Sequence, residues 1–151
     1  MERKLRISAG GIVIKDNRIL LVRYGDISGK SYLVAPGGSV NSEEGLSQAA
    51  VRELKEETGL DIVPGKILCV EDLCFDIYRM TKVWFLCRVV GGRLERTQGA
   101  IDEKISEVKW YLKNEIRDEI VYPSIIMDYS WKSFSQKTWQ TKYLEMTYAD
   151  F

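Results

Sequence analysis

Four acids in one short stretch are the residues of this chain best placed to do chemistry. Glu44, Glu53, Glu56 and Glu57 fall within 37–60, GGSVNSEEGLSQAAVRELKEETGL. The stretch reads as a glycine-rich loop running into a single helix. The helix start is expected between Ser42 and Leu46, where Asn41, Ser42 and Gly45 can all cap. Gly59 is a natural stop, because helices often end on a residue in the left-handed conformation. At about 100° per residue, Leu46, Ala49, Ala50 and Leu54 share one side. Glu53 and Glu57 sit one above the other, inside that apolar arc, with Glu56 beside them. Carboxylates crowded at a partly buried edge repel one another and are expensive to desolvate. A divalent cation removes the conflict, and oxygen-only ligands suit Mg²⁺, with Mn²⁺ as the alternative. The competing reading is a solvated acidic helix with pairs such as Arg52–Glu56. Pro36-Gly37-Gly38 shifts the balance towards a site, since glycine lets backbone approach a ligand or metal closely.

The rest of the composition narrows the chemistry. The chain has no histidine, so His-ligated zinc, a Ser-His-Asp triad and an imidazole base are excluded. Proton transfer near neutral pH must use carboxylates, lysine, tyrosine or metal-bound water. Cys69, Cys74 and Cys87 are odd in number, lack CxxC spacing, and read as reduced, buried thiols of a cytoplasmic protein. The 151 residues are enough for one domain with a proper core, and 45% hydrophobic with 29% charged is ordinary for a globular protein. Twenty-two basic residues balance 22 acidic ones, which argues against a general nucleic-acid binder. No apolar run approaches the roughly 20 residues that span a bilayer, and the N-terminus is too short in apolar residues for a signal peptide.

The elements that must position the acids can be read from periodicity. Leu5 to Lys15 and Arg18 to Tyr24 are expected strands joined by a turn at Asp16-Asn17, forming a hairpin. Ser31 to Ala35 is a short strand feeding the glycine loop. Pro64-Gly65 reads as a turn after the helix, followed by strands over Lys66 to Phe75 and Lys82 to Val90. Arg93 to Asp102 reads as a mobile polar loop. Ile105 to Leu112 is a strand with Val108 and Trp110 or their neighbours facing inward. Asn114 to Ile120 is a short helix or turn, and Pro123 opens a helix through Met127. Strands mixed with a central and a late helix imply a mixed sheet between helices, an α/β class.

Gly38, five residues, Glu44, seven residues, then Arg52-Glu53-Leu54-Lys55-Glu56-Glu57-Thr58-Gly59-Leu60 resembles a complete Nudix box. That resemblance implies an α/β/α sandwich with a mixed central sheet, over residues 1–127, with 128–151 as an aromatic-rich extension of the same domain. It implies a hydrolase in which water attacks a pyrophosphate phosphorus of a nucleoside diphosphate linked to another group. Carried to this chain, Glu53 and Glu57 are the main Mg²⁺ ligands. Glu56 is a ligand or water-positioning base, and the Gly37 carbonyl is a further oxygen. Arg52 orients a glutamate, and Glu44 supports that network. Glu103, ahead of Trp110, is chosen for the distant acid that some members recruit.

The resemblance says less about substrate. Nucleoside triphosphates, nucleotide sugars, ADP-ribose and dinucleoside polyphosphates all remain open. Tyr78 lies at a position associated in the family with dinucleoside polyphosphates, and Arg23 is a candidate phosphate contact. The proline typical of many ADP-ribose pyrophosphatases is missing from that region, a weak sign against them. The tail from Asp128 carries Tyr129, Trp131, Phe134, Trp139, Tyr143, Tyr148 and Phe151. It is expected to pack on the domain or on a partner in a homodimer, with base stacking as the sharper alternative. The expected partner is a small nucleotide, with no stable nucleic-acid or membrane binding. A nucleotide sensor without turnover is the alternative function. An isomerase on the same fold is disfavoured by the absence of histidine.

Overall fold

Neighbouring residues along each central strand go to opposite sides, and that alternation sets the layers. The computed structural model describes residues 2–25 and 29–149. On β1 (Lys4–Lys15), Ile12 enters one buried cluster and Val13 another. On β2 (Arg18–Gly25), Ile19 and Leu21 join the first and Leu20 the second. On β6 (Tyr78–Gly92), Trp84 joins the first, while Val83 and Phe85 join the second. A sheet buried on both faces must be covered on both. The second cluster is covered by α1 (Leu46–Thr58) through Ala49, Ala50 and Leu54. The first is closed by Ile125 and Ile126 of α3 (Ile125–Asp128) and by Phe134 of the 3₁₀ turn Trp131–Ser135.

The remaining strands are β3 (Ser31–Val34), β4 (Gly37–Ser39), β5 (Leu60–Cys74), β7 (Ile105–Leu112), β8 (Val121–Tyr122) and β9 (Lys142–Tyr148). The order is β8-β3-β2-β1-β6-β5-β9, with β4 also on β1 and β7 also on β2. Three pairings are parallel: β1 with β6, β3 with β8 and β5 with β9. The others are antiparallel, so the sheet is mixed, as expected.

Several local expectations change under tertiary pairing. The β1–β2 hairpin exists only at its closed end, where Ile14 faces Ile19 and Lys15 faces Arg18. Its turn residues Asp16 and Asn17 have φ of 52° and 62°, the geometry of a tight two-residue hairpin turn. Beyond that end the strands part, and β1 pairs with β6 from Lys4 to Val13. Pro64-Gly65 is not a turn: β5 runs through it, and the register shifts between Pro64 and Ile67. A bulge tolerates a proline, which has no N–H to give the ladder. The polar 93–102 segment contains a short helix, α2 (Gln98–Asp102), capped by the Thr97 side chain, which accepts from Ala100 N–H at 3.0 Å. The late helix starts at Ile125, two residues past Pro123. On β7, Ile105 and Tyr111 are the buried residues, while Val108 and Trp110 are half-buried.

Candidate active site

The helix that carries the acids is fixed at both ends. The Gly45 N–H donates to Gln48 Oε1 at 2.6 Å, tying down the first turn. Gly59 ends α1 at φ 78°, with its N–H on the Lys55 carbonyl. Between these ends, the apolar stripe against the sheet drags Glu57 inward, leaving it 3% exposed. Its Oε2 accepts the Gly37 N–H at 3.1 Å. Glu53 lies against Gly38 so closely that a Cβ there would stand 2.5 Å from its carboxylate oxygens. Gly38 is therefore what lets β4 lie against the acidic face of α1, while Gly37 presses on β1, where a Cβ would stand 2.6 Å from the Ala9 carbonyl oxygen.

Arg52 organises the other acids. Its guanidinium donates through Nε and Nη2 to both oxygens of Glu44, at 3.0 and 2.6 Å. Nη1 reaches Glu53 at 3.0 Å and Glu56 at 3.1 Å, and Nη2 also donates to the Ser39 carbonyl. Arg52 holds the Glu44 carboxyl down at about 2. Glu56 stays on the outer rim, its side chain 52% exposed.

Glu53 and Glu57 open into a cleft of about 340 Å³. Its floor is the face of β1, β6 and β5. There the register sets Ser8 beside Lys82, and Lys82 beside Glu71. Glu71 is buried, and its Oε1 accepts the Trp84 indole N–H at 2.6 Å. Lys82 Nζ lies 4.4 Å from the centre of the Trp84 ring. Aromatic rings also line the cleft: Tyr24 stacks on Tyr32 at 5.4 Å, and Phe75 on Tyr78 at 4.4 Å. Arg6 reaches over the Tyr78 ring at 4.1 Å. Glu103 completes the acidic end. It is delivered by α2, which docks on α1 through a Thr97 hydroxyl hydrogen bond to the Glu56 carbonyl.

Desolvation dominates the electrostatics. Burial first, then the neighbouring carboxylates Glu53 and Glu103, push Glu57 up to about 8, against the pull of Lys82 and the Gly37 N–H. Burial also raises Glu53, with Arg52 opposing, and raises Glu71, with Trp84 and Lys82 opposing. Lys82 is lowered by its own burial, held back by Glu71, Glu57 and Glu53. Tyr24 is raised by burial and by Glu57 and Glu103.

The sequence-derived candidates separate cleanly. Gly37, Glu53, Glu57, Glu103 and Tyr78 line one cleft, with Arg52 and Glu56 behind its acidic wall. Arg23 is not brought to it. Its guanidinium is held by Glu119 at 2.9 and 3.2 Å and by Ser31 at 2.9 Å. The aromatic tail is not at the cleft either. Phe134 is fully buried, Trp139 packs edge-on against it at 5.1 Å, and the Trp139 indole donates to the Leu68 carbonyl. Phe151 lies outside the described residues. The three cysteines are free and buried. Sequence reasoning missed Ser8, Lys82, Glu71, Tyr24 and Tyr32. The available signal was polar residues at alternate positions of otherwise apolar strands, which mark one face turned to a cleft.

The donor set fits a hard divalent cation. Every candidate ligand is an oxygen, and Glu57 is a buried carboxylate with no ion pair among the described residues. Among those residues no three acids already converge as a cage, and Arg52 draws Glu53 and Glu56 towards itself.

Comparison with known proteins agrees with this arrangement. The family model described as NUDIX domain matches residues 4–128. An ADP-ribose pyrophosphatase of Methanocaldococcus jannaschii is 32% identical over 130 residues, 84% of this chain and 75% of that protein. Nudix hydrolase 2 of Arabidopsis thaliana is 30% identical over 108 residues, but the chain spans only 38% of its length. Among solved structures, a NUDIX hydrolase from Nitrosomonas europaea superposes with a TM-score of 0.68 at 22% identity, over 83% of this chain and 85% of that one. An ADP-ribose pyrophosphatase from Streptococcus suis gives 0.65 at 19% identity, over 91% and 98%. Those two likenesses establish the fold, and with the family match and the M. jannaschii relative they show that this chain belongs to the Nudix family, as a Nudix pyrophosphohydrolase.

Proposed function

We propose that the protein hydrolyses the pyrophosphate bond of a nucleoside diphosphate linked to another group, with Mg²⁺ bound by Glu53 and Glu57. The observation that carries this reading is the lining of one cleft: the carboxylates Glu53 and Glu57 together with two pairs of stacked aromatic rings. Stacked rings suit a flat base, and the acidic end suits the metal-bound phosphates. The metal supplies charge neutralisation for the phosphates and the developing transition state. Within the chain, Arg52 holds Glu53 and Glu56 in place, and the Gly37 N–H orients Glu57. The Glu103 side chain makes no hydrogen bond or ion pair among the described residues. Its carboxylate takes the proton of the attacking water. The new P–O bond forms as the bridging P–O bond breaks, giving a nucleoside monophosphate and the phosphorylated remainder.

The name of the M. jannaschii relative puts ADP-ribose first among the substrates to try. The test is hydrolysis of ADP-ribose, nucleotide sugars, dinucleoside polyphosphates and plain and oxidised nucleoside triphosphates, with Mg²⁺ or with chelator. Metal-dependent release of a monophosphate from one class is the expected result. Tight binding of a nucleotide with no turnover of any of them would replace hydrolysis by sensing.

A further inference from the structure

A ready anion site lies on the floor of the cleft, outside the Nudix box. Ser8 on β1 and Lys82 on β6 are direct neighbours in a parallel ladder, so their side chains leave the same face of the sheet roughly 4.8 Å apart. Both line the cleft that holds Glu53 and Glu57. The Ser8 hydroxyl is the one buried side-chain polar atom without a hydrogen-bond partner among the described residues, and Ser8 is 1% exposed. A buried hydroxyl left unpaired is unfavourable unless something that enters the site satisfies it. The Lys82 side chain makes no ion pair or hydrogen bond among the described residues, and its ammonium rests against Trp84. That ring is itself fixed by its bond to Glu71. An ammonium and a hydroxyl that both have protons to donate call for an anion between them, and they repel a second cation.

We propose that Ser8 and Lys82 form a phosphate subsite that grips the unattacked phosphate of the substrate's pyrophosphate group. This rests on the pyrophosphohydrolase reading above and extends it to residues of β1 and β6. Placed there, the positive charge of Lys82 lies close enough to pull on Glu57 without forming an ion pair with it. The gripped phosphate keeps the neighbouring phosphorus at the acidic end.

The test is calorimetric titration of the whole protein with imidodiphosphate, a non-hydrolysable diphosphate, in excess Mg²⁺. It has neither base nor sugar, so it isolates the subsite from the aromatic walls. Mn²⁺ affinity is measured in parallel by electron paramagnetic resonance. The expected result is binding by the wild type, a loss of about tenfold or more in Lys82→Met, and a several-fold loss in Ser8→Ala, with Mn²⁺ affinity kept or increased in both. Equal imidodiphosphate binding by the variants overturns the proposal and leaves Lys82 a counter-ion for Glu57 and Glu71. Loss of Mn²⁺ together with imidodiphosphate also overturns it, as does absence of binding by the wild type. Should Lys82→Met not fold, Ser8→Ala decides alone, since it removes only one oxygen. Failure of the wild type on the nucleotide panel counts against the hydrolase reading separately, because the imidodiphosphate titration does not depend on turnover.

Discussion

Glu57 joins the helix, the glycine loop and the cleft, and its burial has a definite pH consequence. The folded carboxyl titrates at about 8, against an ordinary value of 4.5. On raising the pH through that window, the unfolded chain sheds the proton first, so the metal-free fold loses stability as pH rises. Glu57→Gln removes this effect. Calorimetric melting of the metal-free protein should show Tm falling across the window in the wild type and falling less in the variant. Equal slopes would dismiss burial as the cause. The same substitution should lower Mg²⁺-dependent turnover by roughly 100-fold or more, since even supporting residues of a metal site typically carry 10- to 100-fold. A residue that weakens the fold while enabling the reaction is the expected signature of a buried metal ligand.

At the scale of elements, α1 works because glycines let other backbone come close to it. A methyl on Gly38 would meet the Glu53 carboxylate at 2.5 Å. Gly38→Ala should therefore reduce turnover and metal affinity more than it reduces the urea midpoint. Gly59 sits at φ 78° with the Arg93 carbonyl close against it. Gly59→Ala should cost about 1–3 kcal/mol of unfolding free energy through backbone strain and that clash. A change below a few tenths of a kcal/mol in urea unfolding would show that the helix end relaxes freely. The contrast between the two variants separates the glycine that shapes the site from the glycine that ends the helix.

Across the whole molecule, the two faces of the sheet are covered differently. One carries α1, with its acids reaching the end of the cleft. The other holds the cleft floor at Ser8 and Lys82 and, next to it, is sealed by the segment after α3, where Phe134 is fully buried and Trp139 lies on it. β9 then adds to the edge of the sheet beside β5. Phe134→Ala should lower unfolding free energy by about 3–5 kcal/mol, the usual range for an emptied aromatic site. Its substrate KM should stay near the wild-type value at temperatures where it is folded, because none of these rings lines the cleft. A raised KM in the folded variant would restore the tail to the substrate site. The family model ends at residue 128, and the Phe134 cover on that face lies beyond it.

What the sequence determined by itself was local. The α1 span, its glycine stop and the convergence of Glu53 and Glu57 followed from a 3.6-residue period and from capping chemistry. The longer strands were legible in part from alternation and β-branched content, but not β4, β8 or the run of β5 through Pro64, and the acidic motif was legible from its fixed spacing. Tertiary structure decided everything that depends on which strands pair. The Ser8–Lys82–Glu71 row arises because β1 runs parallel to β6 and β6 antiparallel to β5, and no local pattern encodes register between segments so far apart. The aromatic lining needs β2 and β3 to pair, setting Tyr24 beside Tyr32, and the start of β6 to bring Tyr78 to the same cleft. Arg23 looked free at a strand end until the chain returned Glu119 to it, 96 residues later. Short-range periodicity reports which face of an element is apolar; partners, register and the polar groups gathered between them are set by long-range packing.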